Sequence, residues 1–128
     1  MTDSQRIIVT TVDIRGDYEV LGQVYVQVAN RGEFSSHLQF LREQYASEID
    51  DAIARGQIGQ WSPMSNDDSG GQIDFEHAFY IATRELQKRA ALMGADAVVG
   101  MRQDIDLDAE VSIYFFLQMY GTAVRFKG

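Results

Sequence analysis

Apolar and polar residues along the 128-residue chain recur with two different periods. In residues 18–29 they alternate, with Val24 and Val26 on one parity, which is typical of a half-buried strand. In residues 33–55 and 73–93 the apolar positions recur every three or four residues, as on one face of a helix. In chain order, the pattern predicts strands over 7–12 and 18–29, helices over 33–55 and 73–93, and strands over 97–108 and 111–126.

The last predicted strand is apolar on both of its faces. One face carries Ile113, Phe115, Leu117 and Met119, and the other carries Tyr114, Phe116 and Tyr120. Two helices can cover only one face of a small sheet, so the second face needs another cover, most simply a second copy of the chain. We therefore predict a homo-oligomer with Tyr114, Phe116 and Tyr120 in its interface.

Together these elements predict an α+β fold: an antiparallel four-stranded sheet with two helices on one face, in the order β-β-α-α-β-β. The chain is long enough to bury one core, and neither repeats nor a linker divides it, so we predict a single domain over 1–128. Residues 57–72 are rich in Gly, Ser, Asn and Asp and contain the one proline, Pro63. This composition predicts an exposed loop, for which Trp61 is the expected anchor.

The composition is acidic, with 19 Asp and Glu against 11 Lys and Arg and a net charge of -8. Because this charge opposes contact with phosphates and anionic lipids, we predict neither nucleic acid nor membrane as a partner. The sequence MTDSQR lacks the features of a signal peptide, which predicts a cytoplasmic protein. The one basic cluster, Arg84, Lys88 and Arg89, is predicted to lie on a solvated helix face. The absence of cysteine excludes disulfides and thiolate ligands.

Two groups of residues carry the side-chain types that bind metal ions. Asp104, Asp106 and Asp108 alternate along a predicted strand, so their carboxylates share a face and offer oxygen ligands to a hard cation. His77 follows Asp74 by one helical turn, which is half of a metal site. Such strand residues are too far apart to reach one ion without a bulge, and a structural zinc site needs four ligands. We therefore favour a solvated strand face and a solvent-facing histidine beside an acid.

The sequence contains no motif for catalysis. It has no cysteine nucleophile, no GxSxG elbow and no glycine-rich phosphate loop. We therefore predict no catalytic and no cofactor-binding residues, and a non-enzymatic binding or scaffolding role for the oligomer. Two alternatives stay open: a module that binds a heavy metal or a divalent cation, with a divalent metal ion as its cofactor, and an enzyme with a site between subunits.

Residues 92–101, LMGADAVVGM, connect the second helix to the third strand and resemble the corresponding run of the YbjQ-like proteins. Residues 10–11 (TT), 21–22 (LG) and 121–124 (GTAV) match in the same order, whereas Asp96 replaces the more usual asparagine. The resemblance implies a small α+β domain that assembles as a ring-shaped homopentamer. It also implies membership of a family described as a "putative heavy-metal-binding" domain, without an established activity.

Overall fold

The computed structural model describes residues 3–29, 33–57, 70–108 and 114–127, and for residues 3, 33–36, 70–76, 107–108 and 114–115 it describes the backbone alone. A short 3-10 helix, Asp3–Arg6, comes first. The elements that follow in these ranges are β1 (Ile8–Val9), β2 (Tyr18–Ala29), α1 (Glu33–Gln44), α2 (Ala46–Ala54), α3 (Gly70–Leu92), β3 (Ala97–Asp108) and β4 (Tyr114–Phe126).

The strands form one sheet in the order β1-β3-β4-β2. β1 pairs with β3 in parallel, and the register places Ile8 opposite Ala97 and Val9 opposite Val98. β4 runs antiparallel to β3, because Asp96 before the start of β3 donates its amide to the Val124 carbonyl near the end of β4, at 2.8 Å. β4 also runs antiparallel to β2, because Lys127 after its end donates to the carbonyl of Asp17, which precedes β2.

The predicted fold class is therefore wrong in two respects. The sheet is mixed rather than antiparallel, and the described residues between β2 and β3 form three helices rather than two. Alternation identifies a strand but not its pairing partner. β1 and β2 are the two edges of the sheet. Thr10 and Val12 still pair with β3 through their backbones, so the chain crosses one face, over β3 and β4, within residues 13–17. An apolar cluster stabilises this crossing and consists of Ile14, Tyr18, Ala97, Val99 and Val124.

Tyr45 divides the helix predicted over 33–55 into α1 and α2. Its backbone leaves the helical region, with φ -101° and ψ 13°. Hydrogen bonds of helical spacing nevertheless continue on both sides, from the Tyr45 amide to Leu41 and from the Ile49 amide to Tyr45, both 2.9 Å. The break is thus a local distortion, and no proline or glycine in residues 44–47 marks it in the sequence.

The end of α3 confirms the predicted stop at Gly94. Gly94 has φ +84°, in the left-handed region that glycine enters without steric cost. Its amide donates to the Ala91 carbonyl, and the Ala95 amide donates to the Ala90 carbonyl, both at 3.0 Å. These two bonds satisfy carbonyls of the last turn, as in a Schellman motif.

The start of α3 differs from the prediction by three residues. The helix begins at Gly70 rather than at residue 73, so the predicted loop over 57–72 overlaps it. Residues 58–69 lie outside the described residues, so the rest of that loop and its anchor, Trp61, stay predictions.

The chain divides into two compact units. The first contains Met1–Gln27, Ala82–Asp104 and Gln118–Gly128, and the second contains Val28–Ile81 and Ile105–Leu117. Buried apolar residues of the first unit include Val24, Val26, Leu86, Ala90, Val98, Met119 and Ala123. Those of the second unit include Leu38, Leu41, Tyr45, Ile49, Ala52, Ala78, Ile81 and Leu117.

In the first unit, α3 contacts the sheet through polar side chains as well as its apolar face. The Thr83 hydroxyl lies 3.7 Å from the sulfur of Met119 in β4. Arg89 donates to the carbonyl of Tyr25 in β2 at 2.6 Å. These contacts place the C-terminal part of α3 on one face of the sheet, so that the opposite face is the one that residues 13–17 cross.

Candidate functional site

The aspartate row does not form a metal site in the described residues. Asp104 and Asp106 are exposed, and the side chain of Asp108 lies outside the description. The Tyr120 hydroxyl donates to Oδ2 of Asp104 at 3.3 Å. Nowhere in the described ranges do three His, Asp or Glu side chains form a group that could hold a metal ion.

Gly100 explains why Asp104 meets Tyr120. Val99 packs with Val124, while Asp104 bonds to Tyr120, and the two β4 residues have the same parity. The two β3 residues have opposite parity, so the strand changes the face it presents between them. Gly100, with φ +61°, supplies the local irregularity, as in a strand bulge. The regular alternation predicted for residues 97–108 is therefore interrupted.

His77 is buried, with 6% of its surface exposed, rather than facing solvent as predicted. Its Nδ1 lies 3.5 Å from Nη2 of Arg42, at the outer limit of hydrogen-bond distance. Because a guanidinium only donates, Nδ1 is the acceptor in this contact. The side chain of Asp74 lies outside the described residues. Helical spacing in the sequence was a signal for this burial, because His77 precedes the buried Ile81 by one turn and the buried Arg84 by two.

Arg84 is also buried, with 4% exposed, contrary to the solvated face predicted for its basic cluster. Its Nη1 donates to Oε1 of Gln87 at 2.7 Å and lies 3.4 Å from the Ser4 hydroxyl. Gln87 in turn donates to the carbonyl of Ile7 at 2.8 Å. Because a buried guanidinium needs its donors satisfied, these bonds join α3 to the amino-terminal segment.

The predicted interface residues lie on the β4 face that is less buried. Tyr120 is 40% exposed and Phe116 is half-buried, whereas Leu117 and Met119, of the opposite parity, are fully buried. The side chain of Tyr114 is outside the description. The two parities of β4 are thus in different environments, although both are apolar in sequence.

An uncharged groove lies on the sheet beside Tyr120, with a volume of about 230 Å³. We name it the glutamine–tyrosine groove, and its lining residues are Gln23, Tyr25, Val26, Gln27, Gln118 and Tyr120. Tyr25 is 62% exposed. The lining offers two phenols and three amides, which can stack and exchange hydrogen bonds but carry no formal charge.

Two exposed pairs shift pKa values in the first unit. Arg125 donates to the Glu19 carboxylate at 2.7 Å, and this hydrogen bond, with the charge attraction, lowers the pKa of Glu19 and raises the pKa of Arg125. The Tyr18 hydroxyl donates to Asp13 at 2.6 Å. That bond, with one from the Ile14 amide, lowers the pKa of Asp13, and it raises the pKa of Tyr18. Each pair thus joins one of the first two residues of β2 to a residue outside that strand.

The second unit contains a solvent-open cavity of about 260 Å³ on its surface. Its lining residues are Gln39, Arg42, Glu43, Ala46, Ile49, Asp50 and His77. One guanidinium, two carboxylates and a buried imidazole thus surround one space. The sequence pattern does not predict this cavity directly, although its polar lining residues on α1 and α2 recur at three- and four-residue spacing, as on one helix face.

Fold and surface together define the class of protein: a small α+β domain with a mixed sheet and an uncharged groove on it. The chain belongs to the YbjQ family, described as "Putative heavy-metal-binding", which matches residues 7–127. The family resemblance of the sequence is therefore confirmed. A comparison with curated proteins finds no match.

A solved structure has a similar fold. It is the crystal structure of a protein of unknown function of the DUF74 family from Pediococcus pentosaceus ATCC 25745. The sequences are 15% identical, the match covers 94% of this chain and 98% of that one, and the TM-score is 0.58. At this identity the likeness shows the fold alone. Among the described residues, no helix is both long and apolar enough to cross a membrane.

The described residues do not fit the metal that the family description suggests. Heavy metals prefer soft thiolate or imidazole ligands, and the chain has no cysteine and two histidines. His37 is exposed on α1, and His77 is buried beside a guanidinium, which repels cations. We therefore assign no chemistry through a metal to these side chains.

Proposed function

We propose that the chain is a self-associating binding or scaffolding domain whose glutamine–tyrosine groove contacts another copy of the chain. The observation that carries the proposal is the exposure of Tyr25 and Tyr120 on neighbouring strands, 62% and 40% respectively. Tyrosine is enriched at protein interfaces, where its ring is buried and its hydroxyl finds a partner.

The charge of the chain supports a self-contact at this groove. A net charge of -8 opposes association through most of the surface, because two copies repel each other. The groove is lined by amides, phenols and a valine, none of them charged at neutral pH. A neighbouring copy that contacts this groove meets no charged side chain in its lining, and the amides provide both donors and acceptors.

We expect five copies in the assembly, the ring that the YbjQ resemblance implies. The chain has a mass of 14.4 kDa, so a pentamer has a mass of about 72 kDa. In a ring the groove of each subunit contacts a different patch of the next, so every subunit makes the same contacts and no open end remains, as closed symmetry requires.

Tyr120→Asp tests the groove as the interface. The new carboxylate lies beside Asp104, which in the wild type accepts a hydrogen bond from Tyr120. We expect light scattering after gel filtration to show a monomer, because burying two adjacent carboxylates in a contact is costly. The matched control is Leu92→Asp, which adds the same charge at a side chain that is 89% exposed. It should keep the wild-type mass. A folded Tyr120→Asp variant with the wild-type mass would exclude the groove.

Metal binding is the second candidate function, and the family description supports it. A ligand that binds only the folded state raises the melting temperature. Because no ligand group converges within the described ranges, we expect zinc, copper, nickel, calcium and magnesium to leave the melting temperature unchanged. A rise that saturates with one of these ions, and disappears with a chelator, would instead establish the metal function.

A further inference from the structure

The cavity of the second unit is lined by charges of both signs at different depths. Arg42 is half-buried and His77 is buried, whereas Glu43 and Asp50 are exposed. The guanidinium and imidazole therefore belong to its inner part, and the two carboxylates belong to its rim. This arrangement is independent of the groove in the first unit.

We propose that this cavity binds a small zwitterion that carries a carboxylate and a primary ammonium group, such as a free α-amino acid. Arg42 receives the ligand carboxylate, because a guanidinium presents paired donors that match two carboxylate oxygens. Glu43 and Asp50 receive the ammonium group at the rim. Each ligand charge thus meets a side chain of opposite sign.

Helix geometry brings these side chains together. The lining positions of α1 and α2 are spaced by three and four residues, and they are Gln39, Arg42, Glu43, Ala46, Ile49 and Asp50. Because hydrogen bonds of helical spacing continue through Tyr45, this face is continuous across the break. Gln39 donates its amide to Oε1 of Glu43 at 3.3 Å, which orients that carboxylate.

The size of the cavity limits the ligand. Its volume is about 260 Å³, just below the roughly 300–1,000 Å³ of typical small-molecule sites. It therefore admits a molecule of amino-acid size but is smaller than typical sites for drug-sized ligands. Ala46 and Ile49 supply an apolar wall against which a short aliphatic side chain can pack.

The balance of charge favours a zwitterion over a simple ion. With Arg42 positive and Glu43 and Asp50 negative, a simple anion meets two like charges and a simple cation meets one. Only a ligand with both groups is attracted at each end. Recognition by opposite charges at two points also rejects ligands that lack either group, because such a ligand makes only one of the two charge contacts.

Isothermal titration calorimetry with small probes tests the proposal on the intact protein. Glycine and L-alanine carry both charges, whereas acetate and methylammonium each carry one. We expect both amino acids to bind. Each single-charge probe should bind at least about tenfold more weakly, because it lacks one charge-assisted contact. Arg42→Gln should weaken glycine binding about tenfold or more for the same reason.

Two substitutions on α2 form a matched pair. Asp50→Asn removes a rim carboxylate and should weaken glycine binding without weakening acetate binding. Asp51→Asn changes a neighbouring exposed acid that does not line the cavity, and it should leave glycine binding unchanged. Because Asp50 is exposed, this pair remains decisive even if Arg42→Gln perturbs folding. The proposal is overturned if neither amino acid binds up to about 10 mM, if acetate binds as tightly as glycine, or if both asparagine variants behave alike.

Discussion

Gly121→Ala tests how closely β3 and β4 pack. Gly121 is buried, and a Cβ at this position would lie 2.6 Å from Cγ1 of Val98, 3.2 Å from the carbonyl oxygen of Val99 and 3.3 Å from Cα of Met101. Two of these three atoms belong to the backbone of β3, so a rotamer change alone cannot remove the conflict. Overpacking of this kind costs about 1–3 kcal/mol.

The assay is urea unfolding monitored by circular dichroism, at one fixed protein concentration because self-association makes apparent stability depend on concentration. In a parallel thermal unfolding experiment, each 1 kcal/mol lost should lower the melting temperature by roughly 2–8 °C in domains of this size range. A second substitution, Val98→Ala, removes the nearest atom that the new methyl group meets. The Gly121→Ala, Val98→Ala double variant should therefore lose less stability than the two single losses combined, by about 1 kcal/mol.

The result that refutes this reasoning is a Gly121→Ala variant within about 0.5 kcal/mol of the wild type, the range of ordinary surface substitutions. Strict additivity with Val98→Ala would contradict it separately, since the two side chains would then not share the same space.

Three further predictions concern other parts of the first unit. Leu86→Ala should lower the free energy of unfolding by about 2–5 kcal/mol because Leu86 is fully buried, and a loss under about 1 kcal/mol would contradict its core position. Arg125 lowers the pKa of Glu19 in the folded state, so the pair stabilises above roughly pH 4 to 5 and the benefit is lost as the pH falls through the folded-state pKa. The melting temperature of Glu19→Gln should accordingly lie below that of the wild type at neutral pH and converge with it in acid; a gap independent of pH would rule out this cause. Tyr18→Phe removes the hydroxyl that lowers the pKa of Asp13, so NMR titration should show that pKa rising towards its ordinary value, and an unchanged pKa would show that the bond is not formed in solution.

Periodicity was a good guide to the fold wherever one face of an element is buried. Val24 and Val26 are buried in β2 as the alternation predicted, and α3 ends where Gly94 indicated. Both features depend on neighbours along the chain, so the sequence contains the necessary information. Val20 is 62% exposed despite sharing their parity, which shows that the pattern weakens towards the start of the strand.

Features that depend on distant contacts could not be predicted in the same way. β1 has two residues, and its parallel pairing with β3 goes together with a crossing of the sheet by residues 13–17. The distortion at Tyr45 has no sequence marker, and the change of face at Gly100 becomes visible only when Asp104 is seen beside Tyr120.

The candidate sites were difficult to predict for a different reason. Residue type suggested exposure at positions where helical spacing indicated burial. A charged or titratable side chain is usually solvent-exposed, and on that basis His77 and Arg84 were expected at the surface. Both share a helix face with the buried Ile81, and both are buried. The cavity beside His77 combines residues of three helices, which no local pattern could have brought together. The predicted interface at Tyr120 and Phe116 stays a prediction.

The central claim is that the chain assembles with copies of itself, and sedimentation analysis of the wild-type protein tests it most directly. Measured across micromolar concentrations in buffered salt, the mass should be that of an assembly, about 72 kDa for a pentamer of 14.4 kDa chains. It should not fall on moderate dilution, because we expect the dissociation constant of the assembly to lie below the micromolar range. A single species of 14.4 kDa throughout that range would contradict the account.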